Sequence, residues 1–313
     1  MISSSVERTG RVRRKSYKRM GYVIISMIVI ISSIGTVGLA TFVGWNLTHP
    51  VKVAPVNLPE KLGLSYEHVE FMSSDEIKLD GWLFPSKRPS SKLIIFAHGY
   101  ANNRSHEVGA LPTVKALNDA GYNCLMFDFR NSGLSGGSLT SIGLFEKIDL
   151  LSAVDYGKTL GYQQFGVIGF SMGAVTAILA ASETPDIQAL VLDSPFAALE
   201  PYLRDNLSVW SNLPNFPFTP LVIWTTPNLI GVDPDQVRPI DQMEKLRERG
   251  LLFIHARDDT SIPSRNSEEL FAAVGDSNAE LWLTDSSKHV GSYAVDPELY
   301  VSKVITLFDE YMK

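Results

Sequence analysis

Between Phe165 and Ala174 the chain reads Phe-Gly-Val-Ile-Gly-Phe-Ser-Met-Gly-Ala, and an Ala-rich segment with helical spacing continues to Ala181. A short apolar run followed at once by helix-forming residues predicts a strand, a sharp turn and a helix. Such a turn forces the residue at its apex into a strained backbone conformation. Gly169 and Gly173, two positions before and after Ser171, keep the strand and helix from colliding there. Ser171 is therefore expected to stand at the top of a sheet. The competing reading, an ordinary Gly/Ser turn in another α/β protein, leaves the agreement of strand, turn and helix to coincidence.

The N-terminal segment sets a second constraint. Residues 1–20 carry Arg8, Arg11, Arg13, Arg14, Lys15, Lys18 and Arg19 against the single acid Glu7, and residues 21–45 carry no charge. Twenty-five helical residues rise roughly 37 Å, enough to cross a hydrocarbon core of about 30 Å with some tilt. Residues 1–20 are thus expected to be a cytoplasmic basic segment and 21–45 a transmembrane helix, with Tyr22 and Trp45 near the two headgroup regions and the remainder on the outer face of the cell membrane. A cleaved signal peptide competes, with Gly38-Leu39-Ala40 as its small-residue site, but the apolar stretch exceeds an ordinary signal core, which favours retention. The proline-punctuated residues 46–63 read as a linker, so that a chain beginning near Val53 is expected to be soluble and active, the anchor supplying only location. Of 28 basic and 34 acidic residues, the first twenty hold seven and one, which leaves 21 against 33 beyond them and a net charge of −12. An acidic domain disfavours nucleic acid and other polyanions as partners. Cys124, the one cysteine, falls in an apolar run and is expected to be a buried small hydrophobe.

Further along, Tyr66–Phe71 and Ile77–Leu83 alternate apolar and polar residues around a Ser-Ser-Asp-Glu turn, as an antiparallel hairpin at a sheet edge does. The runs Leu93–Ala97, Cys124–Phe129, Ile187–Leu192 and Leu251–Ile254 are nearly all apolar, as strands covered on both faces are. Helices are expected over Gly143–Leu160 and Pro297–Tyr311. From Phe196 to about Asp241 this alternation gives way to Trp210, Phe216, Phe218 and Trp224 among Pro214, Pro217, Pro220 and Pro227. That stretch reads as a small cap over the site, suited to a lipophilic group, although burial against the main domain explains the same composition.

From about Leu64 to its C-terminus the chain resembles the α/β-hydrolases, and in particular membrane-anchored bacterial esterase, lipase and serine-aminopeptidase-like hydrolases. The resemblance rests on Gly169-Phe170-Ser171-Met172-Gly173, on His98-Gly99-Tyr100, on Asp128-Phe129-Arg130-Asn131-Ser132-Gly133, and on His255-Ala256-Arg257-Asp258-Asp259-Thr260-Ser261-Ile262-Pro263. It implies a mostly parallel central sheet with helices on both faces, a cap insertion at about residues 196–241 within a domain of residues 64–313, and one preceding transmembrane helix. It implies Ser171 as nucleophile, Asp259 as acid and His289, in the loop after the last strand, as base, in the fold's chain order. Asp258 and Asp193 are the competing acids. The backbone N–H groups of Tyr100 and Met172 would form the oxyanion hole. His98 and His255 would be structural, and Asp128 and Arg130 would fix their loop, with Asn131 where glycine is usual. No metal or cofactor is implied. The expected substrate is a small-molecule or lipid-like acyl ester or thioester. Peptidase action, and a non-catalytic surface binding protein on the same scaffold, stand as alternatives.

Overall fold

The computed structural model describes residues 3–275 and 278–313. Eight strands form one sheet: β1 (Glu67–Met72), β2 (Lys78–Phe84), β3 (Lys92–Ala97), β4 (Asn123–Phe127), β5 (Gln164–Phe170), β6 (Ile187–Asp193), β7 (Gly250–Ala256) and β8 (Ala279–Thr284). Their spatial order is β1-β2-β4-β3-β5-β6-β7-β8, with β1 and β2 antiparallel at one edge and all pairings from β4 to β8 parallel. The helices are α1 (Ser3–Thr48), α2 (Ala110–Ala120), α3 (Glu146–Thr159), α4 (Met172–Ala181), α5 (Leu199–Ser211), α6 (Asn215–Ile230), α7 (Arg265–Val274), α8 (Ser292–Val295) and α9 (Pro297–Tyr311). The strands read as apolar runs because both faces are covered. Phe165, Val167, Leu190 and Phe253 pack toward α3, α4 and α7, while Ile94, Ile168, Val191 and Ile254 pack toward α2 and α9. Each fully buried side chain of this size stabilises the fold by about 1.5–3 kcal/mol. Cys124 is part of the second layer and is completely buried, which pushes its thiol pKa up.

Parallel strands require crossovers, and these bring the C-terminal ends of β3, β5, β7 and β8 to one rim. Every motif singled out above sits on that rim. Helix α4 has no charged residue and is buried along its whole length, as befits a helix wedged against the middle of the sheet.

Two features depart from the expected layout. Helix α1 runs three residues past Trp45, and Tyr17–Thr48 is long and apolar enough to cross a membrane. The basic side chains of residues 8–15 lie outside the described part. The expected linker is not free. The Thr140 N–H donates to the Thr48 carbonyl, Lys52 donates to the Ser135 carbonyl, Asn103 to that of Val53, and Asn57 to that of Ser105. Lys52 and Asn57 thus bond backbone of the main domain, and the Asn103 side chain of that domain bonds linker backbone in return. His49 stacks on Trp45 with ring centroids 3.7 Å apart.

Candidate active site

Ser171 leads into α4 with φ 53° and ψ −116°, a region that L-residues rarely occupy. The surrounding sequence leaves it little alternative. A Cβ on Gly169 would stand 2.5 Å from the Gly173 carbonyl oxygen and the Ala174 Cα, and one on Gly173 would stand 2.0 Å from the Ala97 carbonyl oxygen. The two glycines therefore let β5, α4 and the end of β3 close around the serine, while the Ser171 N–H donates to the Asp193 carbonyl at 2.8 Å.

The side chains expected to act together are brought together. Ser171 Oγ lies 2.8 Å from His289 Nε2, and His289 Nδ1 lies 2.7 Å from Asp259 Oδ2. The other Asp259 oxygen accepts from the N–H groups of Ser261 and Ile262 at 2.8 and 3.0 Å. An ionised Asp259 leaves Nδ1 of His289 as the donor, so Nε2 faces Ser171 as an acceptor. Burial works against ionisation of Asp259. The imidazoles of His255, 3.6 Å away, and of hydrogen-bonded His289, with the Ile262 N–H, outweigh it and hold the carboxyl well below the usual range.

The competing acids are placed elsewhere. Asp258 is exposed. Asp193 is buried and accepts from the hydroxyls of Ser194 and Tyr300, and burial raises its pKa to about 6. His98 is locked in one tautomer: Nδ1 donates to the Gly99 carbonyl at 2.8 Å and Nε2 accepts from the Phe129 N–H at 3.0 Å. Burial lowers its pKa. His255 donates from Nε2 to the Ile262 carbonyl and accepts from Ser267, so it braces the Asp259 loop. Asp128 and Arg130 do fix loops, but with separate partners. Asp128 binds the buried guanidinium of Arg104 and the Leu134 N–H, whereas Arg130 pairs with Asp149 and Asp75. Asn131 takes φ 55°, as a glycine would.

Ser171 opens on two differently lined spaces. One is apolar and bordered by Tyr100, Met172, Leu207, Trp210 and Leu47. The other is more polar and bordered by Asn102, His106, Glu107, Lys288 and His289. Met172 is the first residue of α4, so its N–H has no acceptor one turn back in the helix. Sequence reasoning missed Leu47 altogether. It comes from the C-terminal end of α1, where its carbonyl accepts from the Tyr100 hydroxyl at 2.6 Å. It also missed the backbone at Ile142 and Val290, β-branched residues at φ 56° and 52° that line these two spaces. Such conformations cost of order 1–3 kcal/mol and concentrate at functional sites. Among the described residues one group has metal-ligand spacing, His68, Glu70 and Asp80 on β1 and β2. Glu70 is paired with Lys78 and Asp80 with Arg104, and none of the three borders either space at Ser171.

A sequence profile of the α/β-hydrolase fold matches residues 92–220. The chain is 32% identical over 220 residues to the uncharacterized protein YqkD of Bacillus subtilis, covering 69% of this chain and 70% of that one. It is 26% identical over 227 residues to protein bem46 of Schizosaccharomyces pombe, covering 70% and 69%. Its structure is similar to that of the Pyrococcus furiosus esterase Pf2001, with a TM-score of 0.71 and 31% identity over 85% of this chain and 99% of that one. The fold is shared also with Est1E of Butyrivibrio proteoclasticus, solved with ferulic acid bound, at a TM-score of 0.63 and 24% identity, covering 79% of this chain and 99% of that one. A mostly parallel sheet with these motifs on one rim defines a hydrolase scaffold. This chain belongs to the α/β-hydrolase fold family.

Proposed function

We propose that the protein is a membrane-anchored serine hydrolase of carboxylic esters or thioesters, with its N-terminus cytoplasmic and its catalytic domain outside the cell membrane. The observation that carries this reading is the continuous hydrogen-bonded chain Ser171–His289–Asp259 at the mouth of an apolar cavity. The Ser171 oxygen attacks the acyl carbon as its proton passes to Nε2 of His289. The N–H groups of Tyr100 and Met172 bind the oxyanion, an interaction whose loss typically costs about 3–4 kcal/mol in the barrier. When the tetrahedral adduct collapses, the bond to the leaving group breaks and His289 returns the proton to it. Water, deprotonated by His289, then releases the acid from the acyl-enzyme. Asp259 keeps the imidazole in the required tautomer throughout. The likeness to an esterase at 31% identity supports the ester reading. The test is turnover by the full-length protein in detergent across acyl esters, acyl thioesters and aminoacyl amides. Ester or thioester cleavage should dominate, and amide cleavage alone would overturn the assignment.

The acyl group belongs in the apolar space, whose wall includes Leu47 of the anchor helix. The anchor is thus part of the site as well as its tether. Leu47→Ala in the full-length chain should reduce kcat/KM for octanoyl esters about tenfold, as expected for losing about 1–2 kcal/mol of side-chain burial. Acetyl ester hydrolysis should change little. Equal rates for parent and variant on both esters would remove Leu47 from the acyl site.

One observation favours a peptidase as the second reading. Glu107, half-buried and held by Asn102 at 3.0 Å, borders the polar space beside Ser171 and could receive a substrate amine. On that reading Glu107→Gln lowers aminoacyl amide cleavage by tenfold or more and spares acetyl esters. On the esterase reading it leaves both nearly unchanged.

A further inference from the structure

From Asn206 to Val232 the chain has no charged residue and no histidine. This stretch comprises the second half of α5, the turn after it and the whole of α6. Its exposed surface is uncharged and largely apolar: Phe216 is 82% and Trp224 64% exposed, Val209 and Leu229 are exposed, and the exposed polar side chains among them are those of Asn212, Asn215 and Asn228. In water a patch of this kind is unfavourable and marks an interaction site.

What lies next to it identifies the occupant. Ala40, Leu207 and Val222 form one apolar cluster, a Cβ on Gly44 would stand 2.2 Å from Thr226 Oγ1, and Thr48 and Ile230 border the same cavity. Steps of four along α1 therefore match steps of four along α6, and the two helices run side by side in the same direction. Ala40 and Gly44 belong to the uncharged span that crosses the bilayer. A helix packed against them lies at their depth, and Pro217, five residues before Val222, lies roughly 7 Å deeper, with Phe216 beside it at φ −106° and ψ 134°, where the regular helix breaks. The absence of charge over these 27 residues is what the hydrocarbon region demands of a segment held there.

The cavity between α1 and α6 adjoins the apolar space at Ser171, and Leu47, Ile142, Leu199, Leu203 and Leu207 wall both. On the far side of Ser171 lies the polar space with Glu107 and Lys288. We propose that the α5–α6 hairpin is seated in the leaflet from which α1 emerges, and that the apolar passage between α1 and α6 takes the acyl chain of a bilayer lipid ester directly to Ser171, with its polar alcohol on the opposite side. A chain that enters this way never crosses water, where every methylene would add to the cost of transfer. The hairpin's seating rests on the membrane-anchor reading of α1 together with its packing and composition, and the substrate class rests on the hydrolase reading above.

The experiment has two arms, both on the full chain in phosphatidylcholine vesicles. In the first, nitroxide labels on Phe216→Cys and, as a water-facing control, Asp235→Cys report collisions with oxygen and with a nickel chelate. Buried Cys124 is replaced by Ala in both. The Phe216 site should favour oxygen at least tenfold relative to the Asp235 site. Equal nickel access at the two sites, or spin–spin broadening that reveals a second copy against the hairpin, overturns the seating. In the second arm Ile223→Trp, which fills the α1–α6 cavity, is compared with the parent on a palmitoyl ester held in the vesicles and on soluble p-nitrophenyl acetate. Palmitoyl turnover should fall at least tenfold and acetate turnover by less than twofold. Loss on both or on neither overturns the passage. A parent protein that cleaves neither ester while its Phe216 label remains oxygen-exposed overturns the hydrolase reading, and with it the substrate, but leaves the seating intact.

Discussion

Ser171→Ala is expected to abolish ester turnover, with a loss of about 10⁶ in kcat when the nucleophile of such a unit is removed. The variant should fold. The Ser171 hydroxyl makes one contact of consequence, with His289, and the glycines and the Asp193 carbonyl hold the turn through the backbone. Alanine should accept the local strain that serine already bears, so the unfolding midpoint should move only within the small range of substitutions that create neither cavity nor unpaired group. The check pairs steady-state hydrolysis with thermal unfolding by circular dichroism. Persistent turnover in a folded variant would transfer the nucleophile's role to another group or to water.

The second large effect separates the acids. Asp259→Asn should give a folded protein whose acylation rate falls by up to about 10⁴, because an amide at this position no longer holds the imidazole in the tautomer that leaves Nε2 free. Asp258→Asn, at the surface, should be nearly silent. Asp193→Asn should leave the chemical step within a fewfold of the parent, since the Asp193 carboxyl is committed to Ser194 and Tyr300. Its effect belongs to stability. The folded pKa of Asp193 is about 6, above the ordinary carboxylate value, so the stabilisation linked to its proton is present in acid and is lost as pH rises from about 4 through 6. Asparagine should flatten stability over that window, which urea unfolding at pH 4.5 and 7.5 can measure. In the double variant Asp259→Asn with His289→Ala, acylation should be scarcely slower than with His289→Ala alone, because residues acting as a unit are not additive. Near-additive losses in single-turnover experiments would place the acid elsewhere.

The rim of the sheet was legible in the sequence because each site residue there terminates a strand that has to be apolar on both faces. The resemblance over His255–Pro263 favoured Asp259 over Asp258 and Asp193, and the fold's chain order favoured His289 over His98 and His255. The geometry sorts these by hydrogen bonding: His98 and His255 spend both ring nitrogens on loop backbone and a serine. The partner of Asp128 could not be read, because Arg104 lies in a polar loop with no period to fix its direction. Residues 196–241 were visible as a break in the strand and helix alternation, yet the partner of α6 was not. Two uncharged helices give no pattern that tells core burial from packing along a membrane span, and Leu47 had the composition of either. The proline-punctuated residues after α1 resembled a spacer for the same reason, although three hydrogen bonds tie that region to the main domain.

The proposed chemistry turns on a covalent event at one atom. An alkyl fluorophosphonate phosphonylates a serine activated by a neighbouring base, and digestion followed by mass spectrometry locates the adduct. With the full-length protein, stoichiometric modification of the peptide containing Ser171, in parallel with complete loss of esterase activity, is the predicted result. Activity that survives full modification of Ser171, or inhibition with the adduct on any other residue, would contradict it.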